Sequence, residues 1–264
     1  MILTESKRVN VGHIGSSLSI VDILAALYGG VLHAAPDDPD RDRFVLSKGH
    51  AALALYAALV LKGWIDERVL ATFCGDDTTL GVHPERAVAG IDFSTGSLGH
   101  GLSMAAGAAV AARMQGSRRR AFCLLSDGEC NEGSVWEAVM FAGHHRLGRL
   151  TAIVDMNGQQ AFGVTRDVID PGDMAARWRA FGWRASDVDG HSIEALTQAL
   201  GDRGGASSPP HVVLARTTFG KRVSFMEQGT SPSRPGLSIH AINWHYLPMS
   251  GTEFEAALAE VDRS

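Results

Sequence analysis

The sequence predicts an α/β fold, a doubly wound and mostly parallel sheet flanked by helices on both faces. Three observations predict it. The apolar runs at residues 121–125, 150–154 and 211–215 are short and continuous, the pattern of strands buried on both faces. Stretches with apolar residues at helical spacing separate them. Two of the runs stop at polar turns that contain glycine, Ser126-Asp127-Gly128 and Asp155-Met156-Asn157-Gly158. Strands alternating with helices need crossover connections, and these leave a parallel sheet covered on both sides.

The elements follow in order. Residues 17–31 place Leu18, Val21, Leu24, Ala25 and Tyr28 at helical spacing. Residues 43–46 form a short extended piece. Residues 51–61 and 66–73 read as helices, with Asp66 capping the second. Residues 99–114 form a helix so rich in Ala and Gly that a neighbour must pack very close to it. After the strand at 121–125 come a helix at 134–145 and the strand at 150–154. A helix at 174–181, a strand at 183–188, a helix at 193–200, the strand at 211–215 and a helix at 252–261 complete the series. Residues 201–210 read as a surface loop, and residues 228–240, rich in Ser, Pro and Gly, as a mobile one. With no internal repeat and no domain boundary, residues 1–264 read as a single domain.

Composition narrows the function classes. Hydrophobic residues at 45% and charged residues at 20% fit a globular chain that can bury its own core. Net charge is −5, and the one basic cluster, Arg118-Arg119-Arg120, reads as a solvated turn, so nucleic acid is not expected as a partner. The three cysteines, Cys74, Cys123 and Cys130, form no C-x-x-C pair, which points to a reducing cytoplasm rather than a disulfide framework. The first eight residues lack the apolar stretch of a signal peptide. No run of about 18 apolar residues stands out, the longest being 102–114, so no membrane span is expected. Histidine is the unusual component, with 11 copies. His13, His50, His83 and His100 all stand beside glycine or proline in turns, where each alone is an ordinary structural residue.

In open α/β sheets, ligands bind beyond the carboxyl ends of the strands. Asn157 stands 30 positions after Asp127, the length of one βαβ crossover, so adjacent strands would bring both side chains to one edge. A carboxylate and an amide oxygen meeting there suit a hard divalent cation. Magnesium takes one or two carboxylates and completes its octahedron with phosphate oxygens and water. Gly128 and Gly158 allow close approach to the backbone, and a helix starting near Gly133 can turn its amino end toward phosphates. The pattern reads as a magnesium–diphosphate site. An Asp-Gly and an Asn-Gly are equally ordinary strand-end turns, and taken alone the pair favours that reading. No G-x-G-x-x-G follows any strand, so a dinucleotide site is not supported.

Ser126-Asp127-Gly128-Glu129-Cys130-Asn131-Glu132-Gly133, followed by Asn157, resembles the thiamine diphosphate motif, which begins G-D-G and ends at N or N-N. Further segments match transketolases in the same order: Gly12-His13-Ile14-Gly15, Ser47-Lys48-Gly49-His50, Gly81-Val82-His83-Pro84-Glu85 and Ser94-Thr95-Gly96-Ser97-Leu98-Gly99-His100-Gly101. Thr217-Thr218-Phe219-Gly220-Lys221 and Trp244-His245 resemble the last two cofactor-side segments. The resemblance covers nearly the whole chain, and the motifs taken together outweigh the ordinary-turn reading.

This resemblance to the transketolase family implies a role for each matching residue. Asp127 and Asn157 would hold magnesium, or another divalent cation such as calcium or manganese, by side chain, and Gln159 by its backbone carbonyl. Gly128 would admit the diphosphate, with His50 and His245 beside it and Phe219 among the cofactor contacts. Gly96 and Leu98 would meet the aminopyrimidine through backbone groups. His13 and His83 would face the reacting carbonyl and hydroxyls of the substrate, His245 completing the catalytic set. His240 competes with His245 for its place. Glu132 would lie at the cofactor and subunit contact, with Glu137 also at that contact. His100, His144 and His145 read as structural or surface residues.

The implied activity is transfer of a two-carbon ketol unit from a ketose or ketose phosphate donor to an aldehyde acceptor. Three departures qualify it. Ser126 replaces the first glycine of the motif, a small change. The helix that usually precedes Gly12 is short or missing. The chain matches only the family's first domain, while the glutamate that activates the pyrimidine lies on the second. The expectation is therefore an N-terminal subunit, active only with a separate C-terminal subunit, in an α2β2 heterotetramer. The alternatives are the α subunit of another thiamine diphosphate enzyme, such as a 2-oxoacid dehydrogenase, and a non-catalytic cofactor-holding subunit. The Gly12-His13 and His83-Pro84-Glu85 segments favour transketolase.

Overall fold

The computed structural model describes residues 1–33, 35–202, 204–227 and 243–263. The loop expected at 228–240 lies outside the described residues. The chain opens with α1 (Ile2–Val9), α2 (Ile14–Leu18) and α3 (Val21–Ala26), the last running into a π turn at Leu27–Val31. Then come β1 (Arg43–Leu46), α4 (Ala52–Leu61), α5 (Glu67–Leu70) and α6 (Gly101–Met114). The central part holds β2 (Ala121–Ser126), α7 (Gly133–His144), β3 (Leu150–Met156) and a small hairpin, β4 (Gln159–Gln160) with β5 (Gly163–Val164). After α8 (Thr165–Val168) and α9 (Met174–Ala180) come β6 (Arg184–Asp189), α10 (Ile193–Leu200), β7 (His211–Arg216), α11 (Ser224–Glu227) and α12 (Gly251–Val261).

Five strands form one sheet in the order β1-β2-β3-β7-β6, every neighbouring pair parallel. Alternation along the strands divides the core. Phe44, Leu46, Phe122, Leu124, Ile153 and Val213 face α3, α4 and α10. Val45, Cys123, Leu125, Ala152, Val154 and Leu214 face α6, α7 and α9. Each fully buried aliphatic side chain stabilises this arrangement by about 1.5–3 kcal/mol. The alanines of α6, Ala105, Ala106, Ala109 and Ala112, are all buried against the sheet, which is the close packing its composition demanded. A third cluster, with Leu3, Ile14, Phe219, Trp244, Met249 and Ala257, ties α1, α2 and α12 together at one end.

Several sequence expectations change. Residues 17–31 do not form one helix: the chain breaks between α2 and α3, where Ser19 turns its hydroxyl to Asp155, and Gly29-Gly30 weaken the last turn. Even so, Ile14–Val31 is 18 residues of helix with mean hydropathy 1.6, long and apolar enough by length and composition to cross a bilayer. The reading that no such run exists is corrected. In the fold 72% of it is buried, against α4 and α10, which is how a core helix behaves. Of the two expectations for the helix before Gly12, short rather than missing holds: α1 is eight residues long and closes on Asn10 in the left-handed conformation. The Arg118–Arg120 triplet is not simply a solvated turn either. Arg120 is buried, donates to Asp42 Oδ2 at 2.7 Å, and lies over the Phe122 ring. Its position at the mouth of β2 leaves the guanidinium no route to water, so it needs that carboxylate.

Candidate cofactor site at the carboxyl edge of the sheet

Four adjacent strand tips meet at one edge. β1 leads into Ser47-Lys48, β2 into Asp127, β3 ends with Asp155 and Met156 before Asn157, and β7 leads into Thr217. Ser126 lies opposite Asp155 in the β2–β3 register, so Asp127 and Asn157 do come from neighbouring tips. Above this edge lies a cavity of about 480 Å³, a size suited to a cofactor.

His13, His50, His83, Gly96, Leu98, Gly128, Glu132, Asn157, Gln159 and His245 all line it. Two expected residues do not. Asp127 is 1% exposed and lies just behind the lining. Phe219 forms part of the wall's backing, packed under the His245 ring at 6.3 Å with the planes 2° apart. Burial in the third core cluster keeps it from the cavity. Glu137, His100, His144 and His145 lie outside the lining. Of the competing histidines, His245 lines the cavity, and His240 lies outside the described residues.

Among the described residues Asp127 has no basic partner. Its Oδ1 accepts from the Gly128 N–H at 2.7 Å; its Oδ2 accepts from the Gly158 N–H at 2.9 Å and the Thr165 hydroxyl at 3.0 Å. Burial, and then the nearby charge of Asp155, push its carboxyl up to about 6. The next N–H of the same turn, that of Gln159, donates to Asn157 Oδ1 at 2.9 Å. One turn therefore anchors an oxygen of each expected metal ligand. A buried carboxylate whose partners are all neutral suits a cation, because a positive charge favours its ionised form. Among the described residues no three His, Cys, Asp or Glu side chains cluster as a metal cage, so a cation here would draw its other ligands from backbone, solvent or a bound anion.

Unpartnered polar atoms mark the same wall. His13 Nδ1, His245 Nδ1, Gln159 Oε1 and Gln160 Nε2 are buried without a hydrogen-bond partner among the described residues. Buried groups of this kind normally have partners, and here they belong to side chains lining one cavity. The donor set fits a polar, anionic cofactor carrying a metal.

The histidines form a packed group. The rings of His13, His50 and His245 lie 5.1–5.5 Å apart. Burial, then His83 and Lys48, bring His13 down to about 4; burial, then His13 and Lys48, bring His245 down to about 3. Burial and then Lys48 hold His50 well below the usual imidazole range. These imidazoles are neutral near pH 7, so each can offer one ring nitrogen as donor and one as acceptor. His13 adopts φ 61°, a left-handed backbone rarely taken by a non-glycine residue. Its N–H donates to the His245 carbonyl at 2.9 Å, which zips residues 13 and 245 together.

Loops bring the remaining residues in. The Tyr56 hydroxyl lies 2.9 Å from the His83 carbonyl and holds the turn that carries His83 to the exposed rim. Gly96 lies under that imidazole: a Cβ there would stand 3.2 Å from His83 Cγ. At Gly128 the close neighbour is protein, since a Cβ would meet Gln160 Cβ at 2.8 Å. Glu129, fully buried, accepts from the Gly99 N–H at 2.8 Å and from the Ser47 hydroxyl, clamping the 94–101 loop over β1. Burial raises its carboxyl.

Sequence reading missed Lys48, Asp155, Ser19, Glu129, Gln160 and Thr165. Lys48 offered a signal, because lysine inside an apolar stretch is costly unless paired. Its ammonium lies 2.6 Å from Asp155 Oδ2, with both side chains at 0% exposure.

A parallel α/β sheet with a polar cavity at neighbouring strand tips defines the class, and comparison with known proteins gives the family. The family model described as "Transketolase, thiamine diphosphate binding domain" matches residues 3–234. A 6-deoxy-6-sulfo-D-fructose transketolase subunit, SqwG, from Clostridium sp. (strain MSTE9) is 39% identical across 100% of this chain and 93% of its own length. An apulose-4-phosphate transketolase subunit from Phocaeicola vulgatus is 37% identical, covering 96% of this chain and 87% of that one. The crystal structure of transketolase from Campylobacter jejuni superposes with a TM-score of 0.85 at 28% identity, covering 99% of this chain and 41% of that one. The chain thus spans about two fifths of that transketolase. It belongs to the transketolase family, as that family's N-terminal, thiamine diphosphate-binding part. These relatives are transketolases, and the 2-oxoacid dehydrogenase alternative is not favoured.

Proposed function

We propose that this chain holds thiamine diphosphate through magnesium, calcium or manganese serving the same donors, as the N-terminal subunit of a two-chain transketolase. The carrying observation is Asp127, a buried carboxylate whose partners among the described residues are neutral, held by an N–H of the turn that carries Asn157. Asp127 and Asn157 would hold the cation by side chain, with Gln159 adding its carbonyl. His50 and His245 would line the diphosphate end, and Gly96 and Leu98 the pyrimidine end. When bound, the cofactor supplies the nucleophilic thiazolium carbon that cleaves and forms the substrate's carbon–carbon bond.

The chain's own residues position that reaction. His13 Nδ1 has no hydrogen-bond partner among the described residues and its imidazole is neutral, so it would hydrogen-bond and orient a substrate hydroxyl. His83, on the rim above Gly96, would donate to the reacting carbonyl oxygen. Donor and acceptor are a ketose or ketose phosphate and an aldehyde, in keeping with relatives named for sulfofructose and apulose phosphate.

The partner is a separate C-terminal subunit that supplies the pyrimidine-side glutamate, in an α2β2 heterotetramer. Two relatives named as subunits support this, as does the rim. Glu132 is exposed there, as are Met140 and Phe141 on α7, the helix that carries Glu137. The unpaired cysteines fit a reducing cytoplasm. Co-expression with the C-terminal partner should give ketol transfer from ketose donors, and the isolated chain none. Turnover by the isolated chain would refute the two-chain assignment.

A further inference from the structure

One buried group stands outside the roles given so far. Asp155, at the end of β3, takes four donors: Lys48 Nζ at 2.6 Å, Ser19 Oγ at 2.7 Å, Asn157 Nδ2 at 2.9 Å and Thr217 Oγ1 through a short bond. A carboxylate is acceptor-only; Oδ2 takes three of these donors and Oδ1 the fourth. Asp155 is 0% exposed and its charge is already paired with Lys48, so it is set apart from Asp127 as a cation ligand.

We propose that the Asp155–Lys48 pair is the positioning centre that fixes which face of Asn157 meets the metal. An asparagine amide can sit either way round, and its neighbours decide. Here Asp155 Oδ2, with Ser19 Oγ at 3.3 Å, demands the NH2 group. The amide oxygen must then face the other way, where Gln159 N–H meets it at 2.9 Å. That is the turn whose preceding N–H binds Asp127 Oδ2. The reversed amide would set its oxygen against a carboxylate and leave no ligand on the Asp127 side. Lys48 also balances the charge of Asp155, leaving Asp127 as the uncompensated carboxylate that attracts the cation. The same ammonium donates to the Ser16 carbonyl at 3.1 Å, and Thr217 brings in the β7 tip. One ion pair thus registers the metal-bearing turn against β1, β7 and the α2 segment that begins at His13. The inference rests on the cofactor reading above.

The test uses the full chain co-expressed with its C-terminal partner. It reads manganese(II) affinity in the presence of thiamine diphosphate, by titration calorimetry or electron paramagnetic resonance. Wild type must first show cation-dependent binding; its absence overturns the cofactor reading and this inference with it, before any variant is made. The double variant K48M/D155L removes both charges together, because removing one would strand the other in the core. It should fold and lose about 10–100-fold in cation affinity, the usual effect of removing an outer partner of a metal ligand. Its thiamine diphosphate affinity at saturating cation should change far less. A lowered melting temperature with wild-type cation affinity would mean a purely structural pair and overturn the proposal. If the double variant does not fold, Ser19→Ala decides: it takes one contact from Asp155 and one from Asn157, and should weaken the cation roughly 3–10-fold. Unchanged cation affinity in Ser19→Ala would then overturn it.

Discussion

The floor and the rim of the cavity are built on different principles. On the floor, Asp155, Lys48 and Glu129 are fully buried, and each is held by hydrogen bonds from within the chain. On the rim, His83 and Glu132 are exposed, Phe162 is 63% exposed and Tyr246 is 59% exposed. The floor is complete in one chain. The rim presents aromatic and charged groups to solvent beside a site that chemistry needs dry. Under the proposed function, the difference gives cofactor grip to the floor and substrate handling to the rim.

Substitutions can break or sharpen this division. Asp127→Asn, on the floor, should cost more than ~100-fold in cation-dependent cofactor binding, because it removes a ligand rather than a supporting partner. Calorimetry on the assembled enzyme would measure it, and near-normal binding would put the cation elsewhere. His83→Ala, on the rim, should keep cofactor binding and lose about 10²-fold in rate. Loss of binding with unaltered chemistry would erase the boundary between the regions.

A third expectation concerns acid. His245 titrates near 3 in the fold, against about 6.5 unfolded. Between those values the unfolded chain holds the extra proton, so this histidine costs no stability above about pH 6.5 and progressively more as pH falls toward 3. His245→Gln should therefore flatten the acid side of the cofactor-free melting curve, with little change at pH 7.5. An unaltered acid slope would mean that the imidazole is not desolvated. The smallest effect lies outside the cavity lining. Ser250 and Glu253 form a reciprocal capping box at the start of α12, and Ser250→Ala should cost about 1 kcal/mol in denaturant unfolding without touching cofactor affinity.

The sheet was legible because its strands are continuous apolar runs with local punctuation. The runs at 121–125, 150–154 and 211–215 each fall within an observed strand. The cavity histidines were legible through motif order. The floor was not. Lys48 and Asp155 lie 107 positions apart, and no local pattern pairs them. Ser19 looked like any residue of an amphipathic helix, and its true role is to interrupt that helix in order to reach Asp155. Arg120 failed for the same reason: three arginines in a row read as a wet turn unless Asp42 is known to wait beside the third. Buried polar pairs are long-range facts, while periodicity reports only which way a segment faces.

The zipper between His13 and His245 carries a consequence for synthesis. A nascent chain that has emerged only through β7 already owns every strand tip, yet the N–H of His13 has no carbonyl to meet. The left-handed kink at residue 13 then stands without the contact that holds it. The cavity gains the wall built by residues 244–246 only when they leave the ribosome, so the pocket closes after its floor is laid down.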